Sequence, residues 1–501
     1  MWLSSILRRH TVRMPDALAL RDRWRDVSWR DFDRDVTALA GLLQDAVAPG
    51  ARVAVLSGNR VEVLETYFAC ARAGVVAVPV NPALTDREIA GILDSVEPAY
   101  AVAEKTGRDR LAQLRPDLRA LPIEELATLP VTTVPASLGS GLTAPVAILH
   151  TSATTGAPKG VVVDQRGFQL NATSWLADVG VPAGTAFLNA CPLFHGSMVI
   201  ALDYLAAGAT VCVLDRFTPQ GALRAVTEWR TSHAFFVPSM VKLVLQAQSV
   251  AKADLGVLDL VLHGAAPMPA ELAAQAADEL GVRLQTIFGI TEGGGPVISL
   301  KPEDKPGEAP VPGATCAGVP MAGTGLRIVA EDGTEAGPGA IGEIQLTGDG
   351  LMQGYWRNPE ATAEVLADGW LNTRDLGLVD DQGLVWVVDR RNDLILRGGQ
   401  NVYPAEIEHV LRQSAAVFDV AVVPAPSADW GQTPVAFVQP ADGSVVDEAE
   451  LVELCVTRLA SYKRPSRFVV VDRIPRNPAG KILRPQLRDR ARALVQGEDP
   501  L

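Results

Sequence analysis

Residues 151–160 read TSATTGAPKG, where four hydroxyls, two glycines and one lysine fall within ten residues. Thr151, Ser152, Thr154 and Thr155 can donate hydrogen bonds to one polyanion. Gly156 lets the main chain approach closely, and Lys159 adds a positive charge. The stretch comes after an apolar run at 146–149 that reads as a buried strand. It is not a Walker A loop, because no Gly-Lys-Ser/Thr follows a glycine five residues back. On composition alone a phosphate cradle and a polar turn between strands are about equally good readings.

Four further stretches stand out beside it. They are FGITE at 288–292, TRDLG at 373–377, DRRNDLILRGGQNVYPAEIE at 389–408 and PRNPAGKILR at 475–484. In these five segments, and in their order, the chain resembles the adenylate-forming superfamily. That superfamily includes acyl-CoA synthetases, aryl-CoA ligases, peptide-synthetase adenylation domains and luciferases. The resemblance spans essentially the whole chain. Three positions depart from the usual pattern: Ala153 and Arg374 stand where the family has glycine, and Asn392 where it has Asp or Lys.

The resemblance implies a two-step reaction, an ATP-dependent activation of a carboxylic acid to an acyl-AMP followed by transfer to coenzyme A. It also implies roles for residues. Thr151, Ser152, Thr154, Thr155, Gly156 and Lys159 would surround the phosphates. Ala265, Ala266, Pro267, Phe288, Gly289 and Ile290 would contact the nucleotide, with Phe288 against the adenine. Thr291 would touch the α-phosphate and Glu292 would hold Mg2+. Asp375 would accept from both ribose hydroxyls, a task suited to a carboxylate, with Arg390 assisting. Lys481 would bridge carboxylate and α-phosphate. Gly398 and Gly399 would line a tunnel for pantetheine, and Asn392 would be the hinge about which the C-terminal domain swings between half-reactions.

For the acid pocket the resemblance points to His195, Gly264, Ala265, Gly289, Gly293 and Gly294. His195 stands in PLFHGSM, where peptide-synthetase adenylation domains have an aspartate for the amino group. An apolar acid, aromatic or medium-length aliphatic, is therefore expected. Outside these motifs each residue has a plainer reading: core packing for Phe288 and His195, a turn for Asp375, a solvated surface for Lys481. An acyl carrier protein remains an alternative acceptor. A nucleotide-binding protein that has lost catalysis is a further one, disfavoured by Lys481, Glu292 and Asp375.

The positioning elements are legible too. At 501 residues the chain exceeds what one hydrophobic core normally holds. Apolar runs at 53–56, 75–80, 210–214, 234–237, 258–262 and 284–288 alternate with helical patterns at 61–73, 222–229, 240–248 and 270–280. Such alternation predicts parallel sheets covered by helices, with ligands beyond the carboxyl ends of the strands. The expected fold is α/β. A large N-terminal domain at 1–391 has parallel sheets and a distorted β-barrel. A small mobile α+β C-terminal domain occupies 392–501. Gly337, Gly339 and Gly342 fit GxGxxG, but Pro338 and the alternation at 343–346 predict a hairpin rather than a dinucleotide turn.

A net charge of −13 argues against nucleic acid as a general partner. From Arg390 onward 15 Lys+Arg face 14 Asp+Glu, while the preceding part carries 30 against 44. The less acidic tail suits an anionic partner such as coenzyme A. Five scattered cysteines without a CxxC pair indicate neither a disulfide framework nor structural zinc. The apolar region 197–214 is broken by Asp203 and Gly208, so no membrane span is expected and a cytoplasmic location follows by default.

Overall fold

The computed structural model describes residues 2–132, 141–151, 158–477 and 480–496. Ser152, Thr154, Thr155 and Gly156 therefore lie outside the described residues.

Two sheets build the larger part. The first has 14 strands. Its parallel section runs Leu18–Arg21, Thr210–Val213, Ala186–Asn189, His233–Phe236, Leu260–Gly264 and Arg283–Ile290. The second has seven strands, with Arg52–Leu56, Val76–Val80, Tyr100–Ala103 and Ala120–Pro122 in parallel. The strand/helix alternation read from the sequence builds both. The helix Val61–Ala73, for example, joins Arg52–Leu56 to the parallel strand Val76–Val80 and ends on Gly74 at φ 72, a left-handed stop that glycine adopts without strain. The strands expected to form a barrel continue the large sheet in antiparallel fashion. They run from Gly295–Leu300 through Thr315–Pro320, Val385–Arg390 and Trp370–Val379 to Gly342–Thr347 and Gly325–Val329. Gly342 opens a strand there, so the GxGxxG match is not a helix-opening phosphate turn.

A third sheet of five strands forms the smaller unit. Alternation decides its two faces. Val420, Val422, Ala436 and Val438 pack with Ile407, Leu411, Leu451 and Cys455. Ala421, Val423, Val435 and Phe437 pack with Leu487 and Ala491. A period of two on the central strands thus buries both sides under helices. The strand Val385–Arg390 of the large sheet ends at Arg390 and the first strand of the small sheet begins at Ile395, so the chain changes sheets across 391–394. All five cysteines are buried and free. Among the described residues no helix is long and apolar enough to cross a membrane.

Candidate active site

Four parallel strands of the large sheet end at one edge, and the chain beyond each of them carries a residue of the site region. His195 comes after Ala186–Asn189, Val237 after His233–Phe236, Ala265 after Leu260–Gly264, and Thr291 after Arg283–Ile290. Carboxyl ends of parallel strands are where an α/β sheet leaves room for ligands. Thr291–Gly293 forms one tight helical turn there. Ala265 has φ +66, a left-handed conformation rare for a residue with a Cβ.

Glu292 is tied into this turn. Its carboxylate Oε1 accepts from the Tyr355 hydroxyl at 2.8 Å, and its carbonyl accepts from the Met352 amide at 2.9 Å. The Lys159 ammonium lies 5.0 Å from the centroid of the same tyrosine ring. Tyr355 therefore separates the lysine of the glycine-rich stretch from Glu292. Thr151 and Lys159 themselves close that stretch at its base, the Thr151 amide donating to the Lys159 carbonyl at 3.0 Å.

Asp375 is only 3% exposed. One carboxylate oxygen is 3.1 Å from Nε of Arg390, its neighbour across the ladder. The other, Oδ2, is buried with no partner. A buried carboxylate oxygen left unpaired is costly unless a ligand satisfies it. Burial pushes the Asp375 carboxyl up, while Arg390 and Lys481 pull it down. Arg374, next to it, sits at φ +61. The backbone there takes the left-handed form that the family's glycine adopts freely, and a side chain occupies it at some strain.

Lys481 belongs to the smaller unit yet lies among residues of the larger one. Burial first, and then the charge of Arg390, bring its ammonium down to about 8 against the opposing pull of Asp375 and Glu292. His195 is held down to about 4, first by burial and then by the charge of Lys481, so its ring is neutral at pH 7. The fold thus gathers His195, Glu292, Asp375, Arg390 and Lys481 at one electrostatic centre.

Other expected residues stand nearby or at the domain boundary. Phe288 and Ile290 are half-buried against the core, Ala265, Pro267 and Gly289 are exposed, and Ala266 is intermediate. Small side chains at the expected acid pocket have a packing cause. A Cβ on Gly264 would overlap the Ile287 carbonyl oxygen, one on Gly289 or Gly294 the carbonyl of Gly295 or Gly350, and one on Gly293 would press on Ile290 and Val297 at 3.2 Å. At 264, 289 and 294 close backbone approach, rather than open space, requires glycine, whereas the neighbours of Gly293 are side chains. Gly398 and Gly399 form the exposed tip of the hairpin Ile395–Arg397/Gln400–Val402, at φ +56 and +80. A Cβ on Gly398 would meet the Trp430 ring at 2.8 Å, whereas Gly399 has nothing within 4 Å. Asn392 is exposed between two anchored neighbours. Arg391 binds Glu343 of the large sheet at 2.6 Å, and Asp393 pairs with Arg484 and Arg488 of the last helix at 3.4 Å.

Among the described residues no group of three or more His, Cys, Asp or Glu could hold a metal ion. One carboxylate suffices for Mg2+ when nucleotide phosphates complete its shell, and Glu292 fits that use.

A family described as AMP-binding enzyme matches residues 7–356, and its C-terminal domain, described as AMP-binding enzyme C-terminal domain, matches residues 406–481. The chain belongs to the AMP-binding enzyme family. It is 36% identical to a feruloyl-CoA synthase of Amycolatopsis sp, covering 96% of this chain and 97% of that one. It is 34% identical to the fatty acid–[acyl-carrier-protein] ligase ScoC of Streptomyces coeruleorubidus, covering 96% and 95%. The solved o-succinylbenzoate coenzyme A synthetase of Bacillus subtilis, in complex with ATP and magnesium ion, superposes with a TM-score of 0.84 at 28% identity, covering 96% and 98%.

In this AMP-binding enzyme two features of the site have no signal in the five sequence segments. Tyr355 lies in GYW at 354–356, outside those segments; its strand pairs with 161–162, and the Met352 amide on the Glu292 carbonyl joins the same segment to the turn. Glu343, the partner of Arg391, sits in the hairpin strand that the GxGxxG match flanks.

The position of Lys481 has a pH consequence. Its charged form is the one that can meet two anions, and it is lost as pH rises through about 8. The kcat/KM for ATP in acyl-AMP formation should therefore fall above that pH, because kcat/KM reports ionisations of the free enzyme. In Lys481→Arg, whose guanidinium stays charged, this alkaline limb should vanish. An identical limb in wild type and variant would assign the ionisation to another group.

Proposed function

We propose that Lys481, Glu292, Asp375, Arg390 and the 151–160 stretch carry out the first half-reaction of an AMP-forming acid–thiol ligase. A carboxylate oxygen attacks the α-phosphorus of ATP, the bond from that phosphorus to the bridging oxygen breaks, and pyrophosphate leaves with the electron pair. Acyl-AMP remains. In the second half-reaction the sulfur of coenzyme A attacks the acyl carbon, the carbon–oxygen bond to AMP breaks, and the thiol proton is released. The observation that carries this reading is the convergence of Lys481 with Glu292, Asp375 and Arg390 across the two units.

Each residue has a physical task. Asp375 offers its unpartnered oxygen to the ribose, with Arg390 keeping the carboxylate in place. Lys481 offsets the repulsion between two anions where negative charge develops. Neutral His195 walls the acid side without adding charge. Glu292, oriented by Tyr355, would hold Mg2+, which when bound offsets phosphate charge. Thr291 and Lys159 contact the phosphates, joined by Ser152, Thr154, Thr155 and Gly156. Residues 265–267 and Phe288 to Ile290 flank the nucleotide. The acid is apolar, aromatic or medium-length aliphatic, and the reaction takes place in the cytoplasm. Pyrophosphate release measured with ferulate, benzoate and octanoate, with and without coenzyme A, tests this. No release with any of the three would rule out the apolar-acid assignment.

The second half-reaction requires the smaller unit to turn about Asn392 and bring Gly398-Gly399 to the site. Support comes from the exposure of Asn392 between residues anchored to either sheet, and from the surface position of the two glycines while Lys481 is docked. Gly399→Leu should therefore block acyl-CoA formation and leave ATP–pyrophosphate exchange nearly intact. The left-handed φ adds strain to that variant, so its melting temperature belongs in the comparison. Equal loss of both half-reactions at unchanged stability would speak against a tunnel there.

The similarity to ScoC supports a second reading, in which the acceptor is a carrier protein. Acyl-AMP formation without any acyl-CoA, alongside ready loading of a phosphopantetheinylated carrier, would favour it.

A further inference from the structure

The helix Pro238–Ala251 touches the smaller unit at two places. At its start, the Gly480 backbone lies so close that a Cβ there would be 2.7 Å from Cγ2 of Val237 and 3.5 Å from Oγ of Ser239. One turn along, half-buried Lys242 donates from Nζ to the carbonyl oxygen of Phe418, and the same ammonium lies 3.7 Å from the centroid of the Phe418 ring. A desolvated ammonium over an aromatic face and on a carbonyl is a strong, directional contact.

From Phe418 a continuous set of polar contacts leads to the lysine loop. The next residue, Asp419, accepts from Nη2 of Arg476 at 2.7 Å. The other arm of that guanidinium, Nη1, donates to the carbonyl of Gly480 at 2.6 Å. The loop is then closed on Asn477, whose side-chain oxygen accepts from the Lys481 amide at 2.9 Å and whose amide donates to the Lys481 carbonyl at 2.8 Å. Both arms of Arg476 are thus engaged, one on the strand that Lys242 grips and one on the residue preceding Lys481. A planar, bidentate guanidinium transmits orientation in a way a flexible point charge does not.

We infer that Lys242 is a positioning residue for acyl-AMP formation, acting through Phe418, Asp419 and Arg476 to set the Lys481 loop against the large sheet. It touches neither substrate nor reacting atoms. Its contacts exist only while the smaller unit is docked with Lys481 inward, so its effect falls on the first half-reaction. The inference rests on the role given above to Lys481.

Lys242→Met keeps the length of the stem and removes the charge and donors. With whichever of ferulate, benzoate and octanoate supports pyrophosphate release, kcat for ATP–pyrophosphate exchange should fall about tenfold to a hundredfold, as expected for a misplaced catalytic group. The KM values for ATP and acid should stay within about twofold, because no ground-state contact is lost. Acyl-CoA formation from the synthetic acyl-AMP and coenzyme A should be unchanged. Lys242→Arg, which keeps a donor and a cation, should recover part of the loss. Arg476→Met should resemble Lys242→Met, and the double variant should be no worse than either single one, as for residues acting in one chain of contacts. Wild-type exchange in Lys242→Met, an equal loss of both half-reactions, or additive losses in the double variant would each overturn the inference. Lys481→Ala is run in parallel. Should that variant retain exchange, the assignment of Lys481 fails and the inference with it. Should it lose exchange while Lys242→Met does not, only the inference fails.

Discussion

Replacing Lys481 by alanine is expected to cut acyl-AMP formation by about 10²–10³-fold, the range seen when one preorganised charge-stabilising group is removed. Acyl-CoA formation from preformed acyl-AMP should continue near the wild-type rate. The asymmetry comes from where the lysine is held. It reaches Glu292, Asp375 and Arg390 only because its segment is docked on the large sheet, with Gly480 against Val237 and Arg476 bridged to Ile482. In the second half-reaction proposed above the smaller unit turns about Asn392 and would bring Gly398-Gly399 to the site in place of Lys481. The lysine is half-buried and its charge partly desolvated, so the truncation removes that charge rather than exposing a new one, and the fold should tolerate it. Stopped reactions quantified for pyrophosphate and for acyl-CoA separate the two steps. Comparable loss in both, with an unchanged melting temperature, would count against alternation between two arrangements.

Asp375→Ala should raise the KM for ATP by about tenfold to a hundredfold with little change in the KM for the acid. A hydrogen bond to a charged group contributes about 1.5–3 kcal/mol, and about 1.4 kcal/mol is a factor of ten. The carboxylate has one oxygen on Arg390 and one buried without a partner, so it has a free acceptor on the side where the ribose would lie. The variant also leaves Arg390 without its partner. Asp375→Asn, which keeps the shape and one acceptor, should therefore fall between wild type and alanine. ATP affinity measured by calorimetry checks both. Equal affinities in the three proteins would mean that the nucleotide is held elsewhere.

Much of this is legible in the residues. The parallel strands at 52–56, 76–80, 210–213, 233–236 and 260–264 are legible as short continuous apolar runs, because a strand covered by helices on both faces buries every side chain. The hairpin at 342–347 is legible because Pro338 and strand-like alternation exclude a helix opening at that point. Other features are not. The resemblance places the glycines at 264, 289 and 294 at the acid pocket, but what requires glycine there is the approach of a neighbouring backbone, which has no mark in the local sequence. Tyr355 is silent because its partner Glu292 is 63 residues away and only the folded chain brings the two together.

The sequence alone determined the chemistry on offer: a hydroxyl- and glycine-rich stretch, an acid in FGITE, a second in TRDLG and a lysine in NPAGK. These are local properties of side-chain type and spacing. The tertiary structure decided which of them act together. His195, Glu292, Asp375, Arg390 and Lys481 come from five separate places in the chain, and it is sheet order and the docking of the smaller unit that close the gaps. It also decided their state of charge, because how far a carboxyl or an ammonium is shifted depends on burial and on neighbours that are distant in sequence.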